Sequence, residues 1–432
     1  MKLLFCCEQY WPSRGGVQEV IRQIAERLVR AGHEVEVATS VNKERTSDVL
    51  GGVRIHAFDV SGSLVTGLKG EVERYQKFVR SFDGDAILIK AAQQWSFDAL
   101  WPVLDDIKTR KIFVPCGFSS LYEPTFARYF AQMPDILRKF DHLIFYAESY
   151  RDIDFARSHE IKNFTVIPNG ASEIDFGGGR TGKLREKFGI PTDDFLFLTV
   201  GSPIQMKGHQ EVGAAFAEMN VGSRNATLIL NGHWPERSLL SVLRLFLRPQ
   251  TVARGLVVLW RKGWRGVWER LFPKPSFVDA LASQAADSDA RGSETRQGTK
   301  RVLCLDLPRS DVIDAFFEAD LFVFASKVEY SPLVLFESAA AGTPFLTVPA
   351  GNAAEIVQWT GGGMLCPADS DERGYVNASP NVLASEMEKA MQSEYLLRQL
   401  GAAGRKSWQE RFTWEKIARS YEKVLQGDVR PA

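Results

Sequence analysis

The stretch Glu329-Tyr330-Ser331-Pro332-Leu333-Val334-Leu335-Phe336-Glu337 holds the residue types and spacing best suited to chemistry in this chain. It follows an apolar run, Leu321 to Ala325, and a short loop, Ser326-Lys327-Val328. Ser331 as N-cap with Pro332 at the first helical position predicts a helix start there, running on through Leu333. Glu329 then lies in the loop at the helix mouth, and Glu337 nearly two turns inside. A carboxylate accepts paired hydrogen bonds from vicinal hydroxyls. Glu337 therefore suits a ribose and Glu329 a second sugar, while the N–H groups at the helix start suit a diphosphate. The plainer alternative for Glu337 is a buried acid capped by a neighbour. An acid in a helix otherwise made of Leu333, Val334, Leu335, Phe336, Ala339, Ala340 and Ala341 is costly to bury without a partner.

Two further places suit a phosphate. Gly15-Gly16 precedes a helix, where a backbone without Cβ lets an anion approach the free N–H groups and the positive dipole end. A structural turn is the competing explanation. Lys207-Gly208 ends a loop after the apolar run Phe195 to Val200, and lysine as a mobile point charge suits a departing diphosphate. Here the alternative is a solvated surface lysine. The six histidines are dispersed, with no HxxxH or DxD-type cluster in a loop after a strand, so no metal site is expected.

The elements needed to position these residues follow from periodicity. Lys2 to Cys7 reads as a strand and Pro12 to Gly16 as a turn. Val17, Val20, Ile21, Ile24, Ala25, Leu28 and Val29 recur at helical spacing, and Val35 and Val37 alternate as a strand. A helix between two short strands is the crossover of a parallel sheet. Ala86 to Ile89, Ile112 to Val114, Leu143 to Tyr146 and Phe164 to Ile167 extend that sheet. After Gly177-Gly178-Gly179, read as a hinge or linker, a second α/β unit follows. Its strands are Phe195 to Val200, Ala226 to Leu230, Leu321 to Ala325 and Phe345 to Val348, with helices over Glu211 to Met219, Ser379 to Met391 and Trp414 to Leu425. The fold class is α/β, with two Rossmann-like doubly wound units facing across a cleft, and the site belongs where strands end at that cleft.

Between Trp234 and Lys300 this pattern breaks. Arg244 to Lys274 holds eight basic side chains against the single acid Glu269, and Trp260, Trp264 and Trp268 repeat every four residues. That spacing predicts one face of a basic helix, followed by a loop over Ser283 to Lys300. One reading is a solvated helical hairpin packed on the domain. The other is an interfacial helix, because tryptophan favours the headgroup level and basic residues attract anionic lipid.

The 432 residues carry 53 basic and 53 acidic side chains. Zero net charge argues against a dedicated nucleic-acid protein. Cys6, Cys7, Cys116, Cys304 and Cys366 form no CxxC pair and fit a reducing compartment. The apolar run at Met1 to Cys7 is shorter than a signal peptide needs, so a cytoplasmic location is expected, peripheral on the inner face of the membrane if the insertion binds lipid.

The two glutamates with Ser-Pro between them, followed by Ala341-Gly342-Thr343-Pro344, resemble the retaining GT-B glycosyltransferases of family 4. Pro12 to Val37, Ile167-Pro168-Asn169-Gly170, Val200-Gly201 with Lys207-Gly208, Ala319-Asp320 and Phe412-Thr413-Trp414 are similar too. The resemblance implies a first, acceptor-binding domain over residues 1–175. It implies a second, donor-binding domain over 176–410, with the insertion at about 234–300, and a helix over 411–432 crossing back to the first. It further implies a metal-independent hexosyltransferase with no cofactor, moving a hexose from a nucleoside diphosphate sugar to a glycan or lipid-linked acceptor in surface polysaccharide or glycolipid synthesis. Carried over by position, Glu329 and Lys207 are catalytic. Gly15, Gly16, Ser202, Lys207, Asp306, Ser331, Pro332, Leu333 and Glu337 meet the donor. Two departures stand out. Ser202 occupies the place of the family's usual arginine, with Lys327 and Arg309 as the candidate basic replacements, and Cys116-Gly117 stands where many relatives have histidine and glycine, the acceptor contact. An epimerase or phosphorylase of the same fold, and a non-catalytic nucleotide-sugar-binding subunit, are the alternatives.

Overall fold

The computed structural model describes residues 1–13, 15–233 and 298–428. The insertion with its basic run and Trp260, Trp264 and Trp268 lies outside the described residues.

The first unit is built on seven parallel strands: β1 (Lys2–Cys6), β2 (Glu34–Ser40), β3 (Val53–Phe58), β4 (Ala86–Lys90), β5 (Arg110–Val114), β6 (His142–Phe145) and β7 (Phe164–Val166). Their order is β7-β6-β5-β4-β1-β2-β3, with Val49–Leu50 antiparallel at the edge. All five residues of β4 are buried, as expected of a parallel strand covered on both faces. Alternate residues divide between two cores. Leu4, Cys6, Ile87 and Ile89 face one side, and Leu3, Phe5, Ala86 and Leu88 the other, against the helix Gly16–Arg30.

The second unit repeats the plan with β8 (Phe195–Val200), β9 (Ala226–Asn231), β10 (Lys300–Leu305), β11 (Leu321–Phe324), β12 (Phe345–Thr347) and β13 (Gly363–Leu365). The order is β10-β9-β8-β11-β12-β13, parallel throughout. Phe195 and Phe197 face one core, Leu196 and Leu198 the other. Strands β3, β10 and β13 are additional to those expected, as are helices including Arg309–Glu318, Ala353–Thr360 and Glu394–Ser407. The expected strands agree to within two residues at each end, apart from β2, which runs on past Val37 to Ser40.

Two expectations are corrected. The helix following Glu329 runs Leu333–Ala341 with Pro332 at its N-cap, and the Ser331 hydroxyl has no partner among the described residues. Pro332, in an extended conformation, takes the N-cap position, and the Ser331 carbonyl instead accepts from Asn169 Nδ2 at 3.0 Å. Nor is the glycine segment a free linker. Phe176 is fully buried beside Phe316 and Phe317, Arg405 donates to the Phe176 and Gly178 carbonyls, and Asp175 pairs with Arg309. These contacts fasten the segment to the second unit. The two inter-unit strands of chain instead meet where Ala171 bridges Thr413. Beyond it, Thr413 caps the helix Trp414–Gln426, whose Trp414, Ile417, Tyr421 and Val424 complete the core of the first unit.

Candidate active site

Strand order reverses beside β1 in the first sheet, where β2 and β4 flank it, and beside β8 in the second, where β9 and β11 do. At such a switch point the connecting loops leave in opposite directions and open a crevice at the carboxyl ends of the strands. The loops that carry the sequence-predicted residues come from these strands: Gly15 and Gly16 after β1, Ser202 and Lys207 after β8, Glu329 after β11.

The loops after β8 and β11 are knitted together. Gly208 has φ +75°, and a Cβ there would sit 2.1 Å from the Ala325 carbonyl oxygen. The Lys327 N–H donates to the Met206 carbonyl at 2.8 Å. This close approach brings Lys207 Nζ to 2.5 Å from Glu329 Oε1, while Ser326 Oγ donates to the same oxygen at 2.8 Å. The Glu329 carboxylate is largely buried, and Lys207 about one-third exposed. Lys327 pairs with Glu211 at 2.9 Å. Ser202 is exposed on the loop after β8.

Glu337 faces a cleft of about 400 Å³ between the units. Trp11, Ser13, Gly15, Gln18, Glu19 and Arg22 form its first-unit wall; Asp175, Val200, Leu307, Arg309, Val312 and Glu337 form the other. Arg309 spans 2.6 Å to Glu337 Oε1 and 2.9 Å to Asp175 Oδ2. Burial works against the guanidinium charge, but the two carboxylates outweigh it and raise Arg309 above its ordinary value. Burial likewise disfavours the Glu19 carboxylate, yet hydrogen bonds from Arg22 and Gln23 and the charges of Arg22 and Arg309 hold it below the usual range. Gly16 opens the Gly16–Arg30 helix with nothing within 4 Å of where a Cβ would stand, and the first N–H groups of a helix have no intrahelical acceptor.

The structure thus brings Gly15 and Glu337 into one cleft, and pairs Lys207 with Glu329. Pro332 and Leu333 stand between the two glutamates at the helix mouth. Asp306 is exposed beyond β10 with His233 Nδ1 at 2.7 Å. Cys116 and Gly117 lie at the end of β5 against Tyr330, with φ +61° and +92°, and Cys116 packs partly buried on the first-unit core. Asp175, Arg309, Glu19 and Arg22 carry no motif of their own. Only the topology shows that they share the cleft. Among the described residues no three His, Cys, Asp or Glu side chains are grouped as metal ligands, and no helix is long and apolar enough to cross a membrane.

Residues 297–407 match the family model described as Glycosyl transferases group 1. A stretch of 130 residues is 31% identical to N-acetyl-alpha-D-glucosaminyl L-malate synthase of Bacillus anthracis; it covers 30% of this chain and only 32% of that relative. Sucrose-phosphate synthase of Thermosynechococcus elongatus superposes with a TM-score of 0.68 at 18% identity, covering 99% of this chain and 98% of that one. HepE of Anabaena, in complex with UDP, superposes with a TM-score of 0.66 at 16% identity over 99% and 100% of the chains. At these identities the likeness shows the fold, which is the GT-B arrangement of two facing α/β units.

Proposed function

We propose that this chain is a retaining glycosyltransferase that moves a hexose from a nucleoside diphosphate sugar to a hydroxyl of a glycan or lipid-linked acceptor seated on the first unit. One observation carries the reading. Glu329 and Glu337 flank one helix mouth at the carboxyl end of β11, Lys207 lies on the first, and Gly15 faces the second across the cleft. The match of residues 297–407 to group 1 glycosyl transferases supports the reaction class, and the UDP bound by the Anabaena neighbour supports the donor class.

In this mechanism Glu337 receives ribose hydroxyls through the oxygen that Arg309 does not hold, and Glu329 receives hydroxyls of the donor hexose. The bond between the anomeric carbon and the β-phosphate oxygen breaks, and charge grows on the departing diphosphate. Lys207 and the N–H groups at the start of the Leu333–Ala341 helix stabilise that charge, as preorganised donors do. The acceptor oxygen bonds to the anomeric carbon from the face the phosphate leaves, and its proton passes to that phosphate. The insertion, with its eight basic residues over 244–274, would hold the enzyme at anionic lipid, each contributing ~1 kcal/mol near the surface. Co-sedimentation that does not distinguish anionic from neutral vesicles overturns that location.

Thermal scanning against UDP-, GDP- and ADP-sugars, repeated with Glu337→Ala, tests the donor site. At 100 times its Kd a true donor adds ~2.7 kcal/mol, and the shift disappears in the variant. Absence of any shift in folded protein would favour a non-catalytic role. Turnover of a bound donor without a hydroxyl acceptor would favour an epimerase or phosphorylase.

A further inference from the structure

Tyr330 stands next to Glu329 on the second unit, but its side chain is anchored in the first. Its hydroxyl accepts the Tyr146 N–H at 2.9 Å and lies beside the Asp152 carboxylate. Its ring stacks at 4.8 Å on Tyr150 and 5.4 Å on Tyr146, each inclined by 28°. Gly117 forms the floor, where a Cβ would lie 3.0 Å from both the Tyr150 and Tyr330 rings. Asp152 is itself held, accepting from Gly117 N at 2.7 Å and Ile153 N at 2.9 Å. Burial pushes its carboxyl up to about 7, and the Tyr330 hydroxyl helps to keep it ionised.

The main chain on either side is held as closely. Tyr150 Oη donates to the Glu329 carbonyl at 2.7 Å, Asn352 N to the Tyr330 carbonyl at 2.9 Å and Asn169 Nδ2 to the Ser331 carbonyl at 3.0 Å. Tyr150 and Asn169 belong to the first unit. Three successive carbonyls of the donor loop are therefore fixed, two of them by the opposite unit. Asn352 also donates through Nδ2 to the Tyr146 carbonyl at 3.0 Å, which closes the network.

We infer that Tyr330 is a positioning residue: latched to the Tyr146 amide and stacked on Tyr146 and Tyr150 of the first unit, it sets the Glu329 loop in its donor-contacting geometry, so that the donor site is complete only when the two units are docked. The inference rests on Glu329 meeting the donor, as proposed above. Holding a contacting carboxylate to within a fraction of an ångström is what a reacting geometry demands, and misplacement by ~1 Å costs on the order of 100-fold.

Tyr330→Phe tests it, because the variant keeps the aromatic stack and removes only the hydroxyl. In ligand-free protein, amide hydrogen exchange should quicken in peptides covering 144–148 and 326–333. With donor and acceptor, kcat should fall at least tenfold while the donor KM stays within twofold. Tyr150→Phe, which frees only the Glu329 carbonyl, should lower kcat in the same way by a smaller factor. Unchanged exchange over 326–333 in Tyr330→Phe overturns the latch. Quickened exchange with unchanged kcat in both variants overturns the positioning role. The exchange measurement needs no sugar nucleotide, so failure of the latch is distinguishable from failure of the glycosyl-transfer reading.

Discussion

Replacing Lys207 by methionine separates a structural lysine from a catalytic one. Its ammonium lies 2.5 Å from Glu329 Oε1, but Ser326 Oγ donates to the same oxygen at 2.8 Å and remains in the variant. The carboxylate would therefore keep one donor. Lysine is 32% exposed and the glutamate 13%, so the pair falls between an exposed ion pair, worth ~0.2–1 kcal/mol, and a charge-assisted bond of ~1.5–3 kcal/mol. A folding loss of ~1 kcal/mol follows, seen as a fall of about 2–4 °C in Tm for a unit of this size. If Lys207 stabilises the departing diphosphate, turnover loses far more, ~2.7–4 kcal/mol or on the order of 100- to 1,000-fold. Melting curves and initial rates with the donor identified by thermal scanning give both quantities on one preparation. A loss in kcat/KM below tenfold, about 1.4 kcal/mol, would match the folding cost and reduce Lys207 to an interloop tie.

Other perturbations probe the frame and the charge of the cleft. Gly208→Ala, at φ +75° with its Cβ aimed at the Ala325 carbonyl, should cost at least ~2 kcal/mol in urea unfolding; an unchanged midpoint would mean that the loops after β8 and β11 do not meet. Burial, with repulsion from Arg110, pushes His142 down to about 4. Its folded value is below the unfolded one, so its contribution is whole above ~6.5 and is lost as pH falls from ~6.5 towards 4, by up to roughly 3 kcal/mol. His142→Gln should flatten that part of the stability profile, and an identical slope in both proteins would contradict the sign. Ser202→Arg restores the cation expected after β8 and should tighten donor binding about tenfold by calorimetry; unchanged affinity would mean that another base already fills the role.

What was legible in the sequence has a physical pattern. Parallel strands covered on both faces read as unbroken apolar runs, so Phe195 to Val200 could be recognised from local composition alone. Strand β3 alternates apolar residues with Arg54 and His56 near the sheet edge and is easier to pass over. β10 follows the insertion and is only partly buried along most of its length, so the apolar signal is weak. Within the site, Glu329, Glu337 and Lys207 were legible because each sits directly after a strand or on the helix that follows it. The pairing of Arg309 with Asp175 was not, since no spacing relates residues 134 positions apart until the switch in strand order places them side by side.

The same reasoning bears on Ser202. With serine there, the proposed phosphate-binding charge after β8 rests on Lys207, and that lysine is engaged by Glu329. Lys327 is committed to Glu211. Arg309 remains, and it is oriented by two carboxylates at once, which keeps it charged and fixed rather than free to follow a phosphate. A fixed guanidinium between Asp175 and Glu337 suits a ligand whose position is already set by its ribose, because the charge is then in place without a reorganisation cost. A mobile arginine on the loop after β8 would instead follow the phosphate through closure. Under the proposed donor site, the second cation of the cleft is Arg309 beside Glu337, and donor recognition should then depend more on docking of that wall than on a flexible clamp.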